Sequence, residues 1–206
     1  MRLESLEQLP NSDKLKLHLS DGTCMRIPAV TARDAGLYSG MELGEEELSQ
    51  LRSRADYDSA RLRAVRILGA SATSERELKR KLIQKGESRE NTDRVVDWLN
   101  DLNLIDDRET ARHIVERAVS RGYGRGRIRQ ILFEKGIPRE YWEEVLENLP
   151  DSAPAVERYL RSHLSGPNPD PKEKKKITDA LLRRGFSWEE IRSGFASLQI
   201  SSEEEF

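Results

Sequence analysis

Arginines are the residues of this sequence whose number and spacing indicate a chemical task. From Arg112 to Arg139 the chain carries eight lysine and arginine residues but only two glutamates. On a helix with about 100° between successive residues, Arg117 and Arg121 lie one turn apart on one flank of the apolar stripe, where like charges oppose helix formation. The stripe that is predicted to be buried consists of Ala111, Ile114, Val115 and Ala118. This local cost indicates a ligand that neutralises them, such as phosphate or carboxylate groups.

More arginines follow where the next helix is expected to begin. Positive charge at a helix start opposes the helix dipole, so these residues too carry a local cost without an evident folding benefit. With the cations of neighbouring segments they form the predicted partner-binding set: Arg117, Arg121, Arg125, Arg127, Arg129, Lys79, Arg80, Lys81, Lys85 and Lys135. A solvated surface that only keeps the protein soluble is the alternative interpretation of the same charges.

The sequence offers little for catalysis, metal binding or cofactor binding. The three histidines are scattered, and none lies at metal-ligand spacing from the one cysteine, Cys24. The glycine-rich segment Gly122–Gly126 invites a nucleotide-binding interpretation, but it lacks the full spacing and follows a predicted helix instead of a strand. A helix end, a short link and a helix restart are the alternative. We therefore expect a protein without enzymatic activity, metal or cofactor.

The three tryptophans allow two roles, stacking on nucleic-acid bases or packing in a core. Trp142 shares an apolar helical stripe with Val145 and Leu146, which favours packing. Trp98 and Trp188 lie nearer the edges of their stripes, so both roles stay open for them.

Composition limits the class of protein and the kind of partner. Of the 206 residues, 36% are hydrophobic and 35% are charged, with a net charge of −2. An elongated helical array needs a smaller apolar fraction than a sphere of this size. Local basic stretches in a nearly neutral chain favour a protein partner that itself carries DNA. The sequence shows no signal peptide and no apolar run of roughly 18 residues, so we expect a cytoplasmic protein without membrane contact.

A repeat of about 50 residues organises most of the chain. Three segments align without gaps around Gly86, Gly136 and Gly185, and each glycine follows a basic residue. Glycine adopts the left-handed conformation with little strain, so each is predicted to end a helix. Apolar residues four apart precede each glycine. A capped helix is predicted to follow, as where Ser187 with Glu190 forms a capping box. One further helix precedes each segment, which gives three helices per repeat.

These patterns predict an all-α fold: an elongated array of three tandem three-helix repeats with a small N-terminal β-hairpin and short-helix extension. The predicted boundaries are 1–55 for the extension, 56–106, 107–150 and 151–200 for the repeats, and 201–206 for an acidic tail.

The extension is predicted from alternation and turn residues. Leu15, Leu17 and Leu19 form one strand, the turn lies at Asp21-Gly22, and Cys24–Ile27 returns. A two-residue turn would put Leu17 opposite Arg26, so the register stays open. Thr31 is predicted to cap a short helix, and two separate helices are predicted over 45–54 and 57–68.

The motifs in their order resemble the tandem three-helix units of RecX regulatory proteins. The resemblance covers residues 57–198 and rests on these segments: Tyr57-x-x-Ala60-x-x-x-Ala64, SERELKRKLIQKG from Ser74, LIDD from Leu104, RGYG from Arg121 and RIRQILFEKGI from Arg127. Where family members often have a proline, this chain has Arg125, which adds positive charge to the second repeat.

The resemblance implies a regulator with one main partner. That partner is the filament of the RecA recombinase on DNA, in which the regulator spans neighbouring protomers and lowers ATPase and strand-exchange activity. Single- or double-stranded DNA within or beside the filament is a further implied contact. The implied biological role lies in recombination and DNA repair, and we expect the regulator to be a monomer.

Overall fold

The structure is a computed structural model that describes residues 1–166 and 168–198. Contacts divide the chain into two units, each treated separately below. Unit 1 comprises Met1–Ser71 and Glu77–Ile105, and unit 2 comprises Ala72–Arg76 and the chain from Asp106 onward. The predicted acidic tail, 201–206, lies outside the described residues.

Unit 1 begins with an antiparallel sheet of three strands. They are β1 (Leu3–Gln8), β2 (Lys14–Leu19) and β3 (Cys24–Pro28), in the order β1-β2-β3. The predicted hairpin corresponds to β2 and β3, whereas β1 was not predicted. Its sequence, LESLEQ, buries only Leu3 fully and Leu6 in part, which leaves almost no alternating apolar pattern.

The β2–β3 turn resolves the register that the sequence left open. Leu19 N–H donates to the carbonyl of Thr23 at 2.9 Å, so the loop has three residues, the last of which is Gly22 with φ 82°. This loop length places Leu17 opposite Met25 and Leu15 opposite Ile27. Apolar side chains therefore share one face of the sheet, as its burial requires.

Two helix predictions in unit 1 were wrong. Thr31 does not cap α1 (Ala29–Asp34); it lies inside the helix, buried, and its Oγ1 donates to Asp58 Oδ2 at 2.8 Å. The two helices predicted over 45–54 and 57–68 are one continuous helix, α2 (Glu45–Ala70).

The apolar stripe of α2 changes direction along the helix. Leu48, Leu51 and Ala55 pack in the core beneath the sheet, while Ala60 and Ala64 pack in the core of the first repeat. Because one helix serves two cores, its periodic pattern shifts phase between them, and the sequence pattern suggested a break there.

Three-helix repeats account for the rest of the described chain. The first consists of the end of α2 with α3 (Glu75–Gln84) and α4 (Arg89–Asp101). The second consists of α5 (Asp107–Ser120), α6 (Arg125–Glu134) and α7 (Trp142–Glu147), with a short 3₁₀ helix at Arg139–Tyr141 before α7. The third consists of α8 (Ala153–His163), α9 (Pro171–Arg183) and α10 (Trp188–Ser197). Each repeat has its own apolar core.

The repeat glycines end the middle helices as predicted. Gly86, Gly136 and Gly185 have φ of 90°, 71° and 88°. At each one, the amide of the residue after the glycine bonds back across the turn, as from Phe186 N–H to the carbonyl of Leu181 at 3.2 Å. Of the capping predictions, Ser187 with Glu190 forms the capping box at the start of α10.

Candidate partner-binding surface

Helices α5 and α6 position the arginines of the second repeat. Helix α5 buries Ala111, Ile114, Val115 and Ala118, as predicted, so Arg117 is left exposed. Arg121 follows the last turn of α5, and Gly122 with φ 69° ends the helix. Helix α6 then begins at Arg125 and buries Ile128 and Leu132.

Ion pairs separate the arginines of α5, α6 and the link between them into two groups. Arg112 donates to Glu144 at 2.6 Å and to Glu109 at 3.2 Å, and Arg127 lies 3.5 Å from Glu134. Among residues 1–166 and 168–198, no acidic side chain pairs with a second group of four exposed arginines: Arg117, Arg121, Arg125 and Arg129. We call these four the unpaired arginines. Because no acidic side chain offsets their positive charge, they are the members of the predicted set best placed to bind an anionic ligand.

The start of α6 touches the end of α9 backbone to backbone. Gly124 N–H donates to the carbonyl of Arg184 at 2.8 Å, and Gly126 N–H donates to the carbonyl of Gly185 at 2.9 Å. A Cβ on Gly185 would lie 2.0 Å from Arg127 N, and one on Gly124 would lie 2.5 Å from the oxygen of Gly185. Only glycine permits this approach, which we call the glycine joint.

The side chain of Arg184 reinforces the glycine joint. Its Nη1 donates to the carbonyl of Arg121 at 3.1 Å. Its guanidinium carbon lies 4.8 Å from the ring centre of Tyr159 and 5.8 Å from that of Tyr123. A cation above an aromatic face is attracted by the ring electrons, so Arg184 ties the second and third repeats together.

The glycine joint changes two expectations from the sequence. The carbonyls at the end of α9 carry partial negative charge, so they offset the dipole at the start of α6 and give the cations there a folding benefit. The cost argument therefore fails for Arg125 and Arg127. It is also offset at Arg117 and Arg121, which lie in the last turn and at the C-cap of α5, where the helix dipole favours cations. The amides that a phosphate loop would aim at a nucleotide are already bonded to protein carbonyls, so Gly122–Gly126 is a helix end, a link and a helix restart.

The predicted cations of α3 lie in unit 1 and are largely ion-paired there. Lys79 Nζ lies 3.4 Å from Asp93, and Lys81 and Arg80 lie 3.2 and 3.7 Å from Glu77 Oε1. Lys85 is exposed just after α3. Lys135, in unit 2, is half-buried after α6, and its carbonyl accepts a hydrogen bond from the hydroxyl of Ser74. The predicted set is thus divided between both units.

Aromatic residues contribute in ways that the sequence left open or missed. Trp142 packs on its core and donates from Nε1 to the carbonyl of Ile137 at 3.0 Å, as predicted for a packing residue. The guanidinium of Arg61 covers Trp98 at 4.0 Å. Trp188 and Phe133 are exposed instead, by 60% and 62%. The exposure of Phe133 was not predicted.

No metal site or membrane span is found in the described part of the chain. His18 Nδ1 lies 3.3 Å from Cys24 Sγ across the β2–β3 pair, a neighbour that sequence spacing did not reveal. Even so, no group of three or more histidine, cysteine or acidic side chains there is arranged to hold a metal ion. His113 is exposed between Glu109 and Glu116. None of the described helices is both long and apolar enough to cross a membrane.

Comparisons with known proteins find a match to each of the three repeats. Family models described as the first, second and third three-helix domains of RecX match residues 60–99, 106–146 and 155–193. The regulatory protein RecX of Clostridioides difficile (strain 630) is 31% identical over 197 residues, which is 90% of each chain. This chain belongs to the RecX family. RecX from Shigella dysenteriae is 36% identical over 146 residues, 63% of this chain and 86% of its own.

Solved RecX structures share the fold. A crystal structure of regulatory protein RecX superposes with a TM-score of 0.60 at 20% identity, covering 97% of this chain and 99% of its own. RecX from Lactobacillus salivarius gives 0.57 at 23% identity, covering 71% and 98%. The first and third RecX domains fall within predicted repeats and the second begins one residue before its repeat, while the boundaries 56–106, 107–150 and 151–200 remain a prediction.

A matched pair of glycine substitutions tests the glycine joint. Gly86 and Gly185 have nearly the same φ, but a Cβ on Gly86 meets nothing within 4 Å. Gly86→Ala should cost about 1–2 kcal/mol from left-handed strain alone. Gly185→Ala should cost about 1–3 kcal/mol more, because its Cβ collides with backbone. Urea unfolding measures the loss of unfolding free energy in both variants. Hydrogen exchange at the Gly124 and Gly126 amides should become faster only in Gly185→Ala. Equal losses in both variants would contradict the joint.

Acid stability tests the pairing of Glu144. Hydrogen bonds from Arg108 and then Arg112 hold the pKa of this carboxyl below its ordinary value of 4.5. The unfolded chain therefore takes up the proton at higher pH than the folded one, so the stabilisation is present above that value and is lost as pH falls through the folded pKa. Urea titrations from pH 6 to pH 3 should show a smaller decline for Glu144→Gln than for the unsubstituted chain. Parallel declines would show that the pairing contributes nothing.

Proposed function

We propose that this protein binds the RecA filament on DNA and restrains ATP hydrolysis, filament growth and strand exchange, so regulating recombination and repair. It acts by binding, without catalysis, as a cytoplasmic monomer. Membership of a family of regulatory proteins supports the proposal. The observation that carries it is the group of unpaired arginines beside the glycine joint, because α5, α6 and the link between them offer their positive charge to an anionic partner.

A protein–DNA polymer matches this surface in two ways. Carboxylates of RecA and phosphates of the bound strand both form charge-assisted hydrogen bonds with guanidinium groups. The net charge of −2 argues against attraction to DNA alone, since sequence-independent DNA binding depends on the number of phosphates neutralised.

Inhibition follows if binding favours one state of the filament. A ligand shifts an equilibrium only by the difference between its affinities for the two states. Tandem repeats that contact neighbouring protomers hold those protomers in one relative arrangement. Steps that need the protomers to move, such as hydrolysis-linked rearrangement and strand exchange, then become slower.

Direct binding to nucleic acid is the competing hypothesis, and the unpaired arginines are the feature that favours it. Salt distinguishes the two. Affinity for bare DNA should fall by orders of magnitude between about 50 and 200 mM salt if several phosphates are contacted. Recognition of RecA protein should fall less steeply, because apolar contacts also contribute.

Charge reversal tests the unpaired arginines in a RecA ATPase assay on single-stranded DNA. We expect the unsubstituted protein to inhibit, and the triple variant Arg117→Glu/Arg121→Glu/Arg129→Glu to need about tenfold more protein for half-inhibition. That size corresponds to three exposed ionic contacts of roughly 0.5 kcal/mol each.

The matched control reverses three exposed arginines of unit 1 instead: Arg26→Glu/Arg33→Glu/Arg89→Glu. It changes the net charge equally, so it should inhibit like the unsubstituted protein, and helical circular dichroism should persist in both variants. An unsubstituted protein that leaves the ATPase rate unchanged would refute the proposed function. Equal loss in the two triple variants would show that total charge, and not this surface, matters.

A further inference from the structure

The middle helices of the first two repeats expose an apolar side chain at the same repeat position. Ile83 in α3 and Phe133 in α6 each follow the buried leucine of their helix, Leu82 or Leu132, and are 45% and 62% exposed. Leu182, at the same position in the third repeat, is half-buried against its core. Exposing a large apolar side chain forgoes the stabilisation of burial. Its recurrence in two repeats indicates a role outside the fold.

A basic residue precedes each exposed side chain by one helical turn. Residues four apart share a helix face, so Arg125, Arg129 and Phe133 form one row along α6. In α3 the same positions place Lys79 before Ile83. Arg129 is one of the unpaired arginines, whereas Lys79 lies 3.4 Å from Asp93. Both helices thus present an apolar tip beside a positive charge.

The chemistry of the pair favours a protein surface over a nucleic acid. Bases stack on aromatic rings, and Phe133 alone would suit such stacking. Isoleucine has no ring, so Ile83 cannot take that role at the equivalent position. What the two residues share is apolarity next to a cation. The complement of that feature is an apolar depression with carboxylates at its edge.

We propose that Phe133 and Ile83 are equivalent anchors, each inserting into an apolar depression rimmed by carboxylates on a protein partner. Arg129 and Lys79 contact the rim. Two anchors at equivalent repeat positions match a partner built from identical subunits. The inference rests on the proposed function, in which that partner is the RecA filament, and it adds the residues that provide apolar affinity.

Binding of the full chain to immobilised RecA–single-stranded DNA filaments tests the anchors. Phe133→Ser should weaken binding by about tenfold or more and Ile83→Ser by about fivefold, as is usual for apolar residues central to an interface. Phe133→Leu should keep most of the affinity, because a depression accepts leucine whereas base stacking does not. Neither exposed side chain supports a core, so the variants should fold normally by circular dichroism.

The matched controls are exposed apolar residues at other positions. Trp188→Ser, at 60% exposure, controls for Phe133, and Leu104→Ser, at 55%, controls for Ile83. Both should bind within about twofold of the unsubstituted protein, since residues outside the central contact change affinity little. Controls that weaken binding as much as the anchor variants would overturn the proposal.

The remaining outcomes separate the anchors from the proposed function. If the unsubstituted protein fails to bind the filaments, the proposed function is refuted and the anchors with it. If it binds and Phe133→Ser binds equally well, only the anchors are refuted. A parallel arm uses the same DNA without RecA. Suppose that Phe133→Ser weakens binding equally in both arms and that Phe133→Leu also loses affinity. Phe133 would then contact the nucleic acid, and the proposal of a protein partner would be overturned.

Discussion

The second repeat depends on one close contact, in which the beginning of α6 meets the end of α9 with no side chain between them. Two backbone hydrogen bonds, from Gly124 and Gly126, hold the helix ends at this distance. A helix start attracts negative partial charge, and a helix end supplies it, so the contact also satisfies groups that would otherwise need water or a ligand. The contact holds the start of α6 against the third repeat, while Ile128 and Leu132 pack its inner face in the core of the second repeat.

The arginines around this contact differ in whether they are bonded within the protein or remain exposed. Arg184 is used inside the protein, where it bridges the carbonyl of Arg121 and the rings of Tyr159 and Tyr123. Arg112 and Arg127 are matched by glutamates. The unpaired arginines are what remains for a partner. A count of basic residues along the sequence cannot make this separation, because it depends on which acids the fold brings near.

Sequence reasoning succeeded where the pattern was local and repeated. The left-handed glycines, the buried stripe of α5 and the Ser187 cap were all predicted, since each follows from a few neighbouring residues. It failed where one segment serves two environments or pairs at a distance. Helix α2 packs in two cores, β1 has almost no apolar alternation, and Thr31 finds its partner, Asp58, only through the fold. The glycine joint unites residues about 60 positions apart, a separation that no local pattern encodes.

The central claim is that the outer face of α6 contacts RecA protein in the filament. Gln130 lies exposed on that face and belongs to none of the charged or apolar groups discussed, so a photo-crosslinking residue can replace it with little disturbance. Irradiation of the complex with RecA–single-stranded DNA filaments, followed by mass spectrometry, identifies what lies against it. We expect a crosslink to a RecA segment rich in aspartate or glutamate. Crosslinks to DNA alone, or none in a complex that still inhibits RecA, would contradict the account.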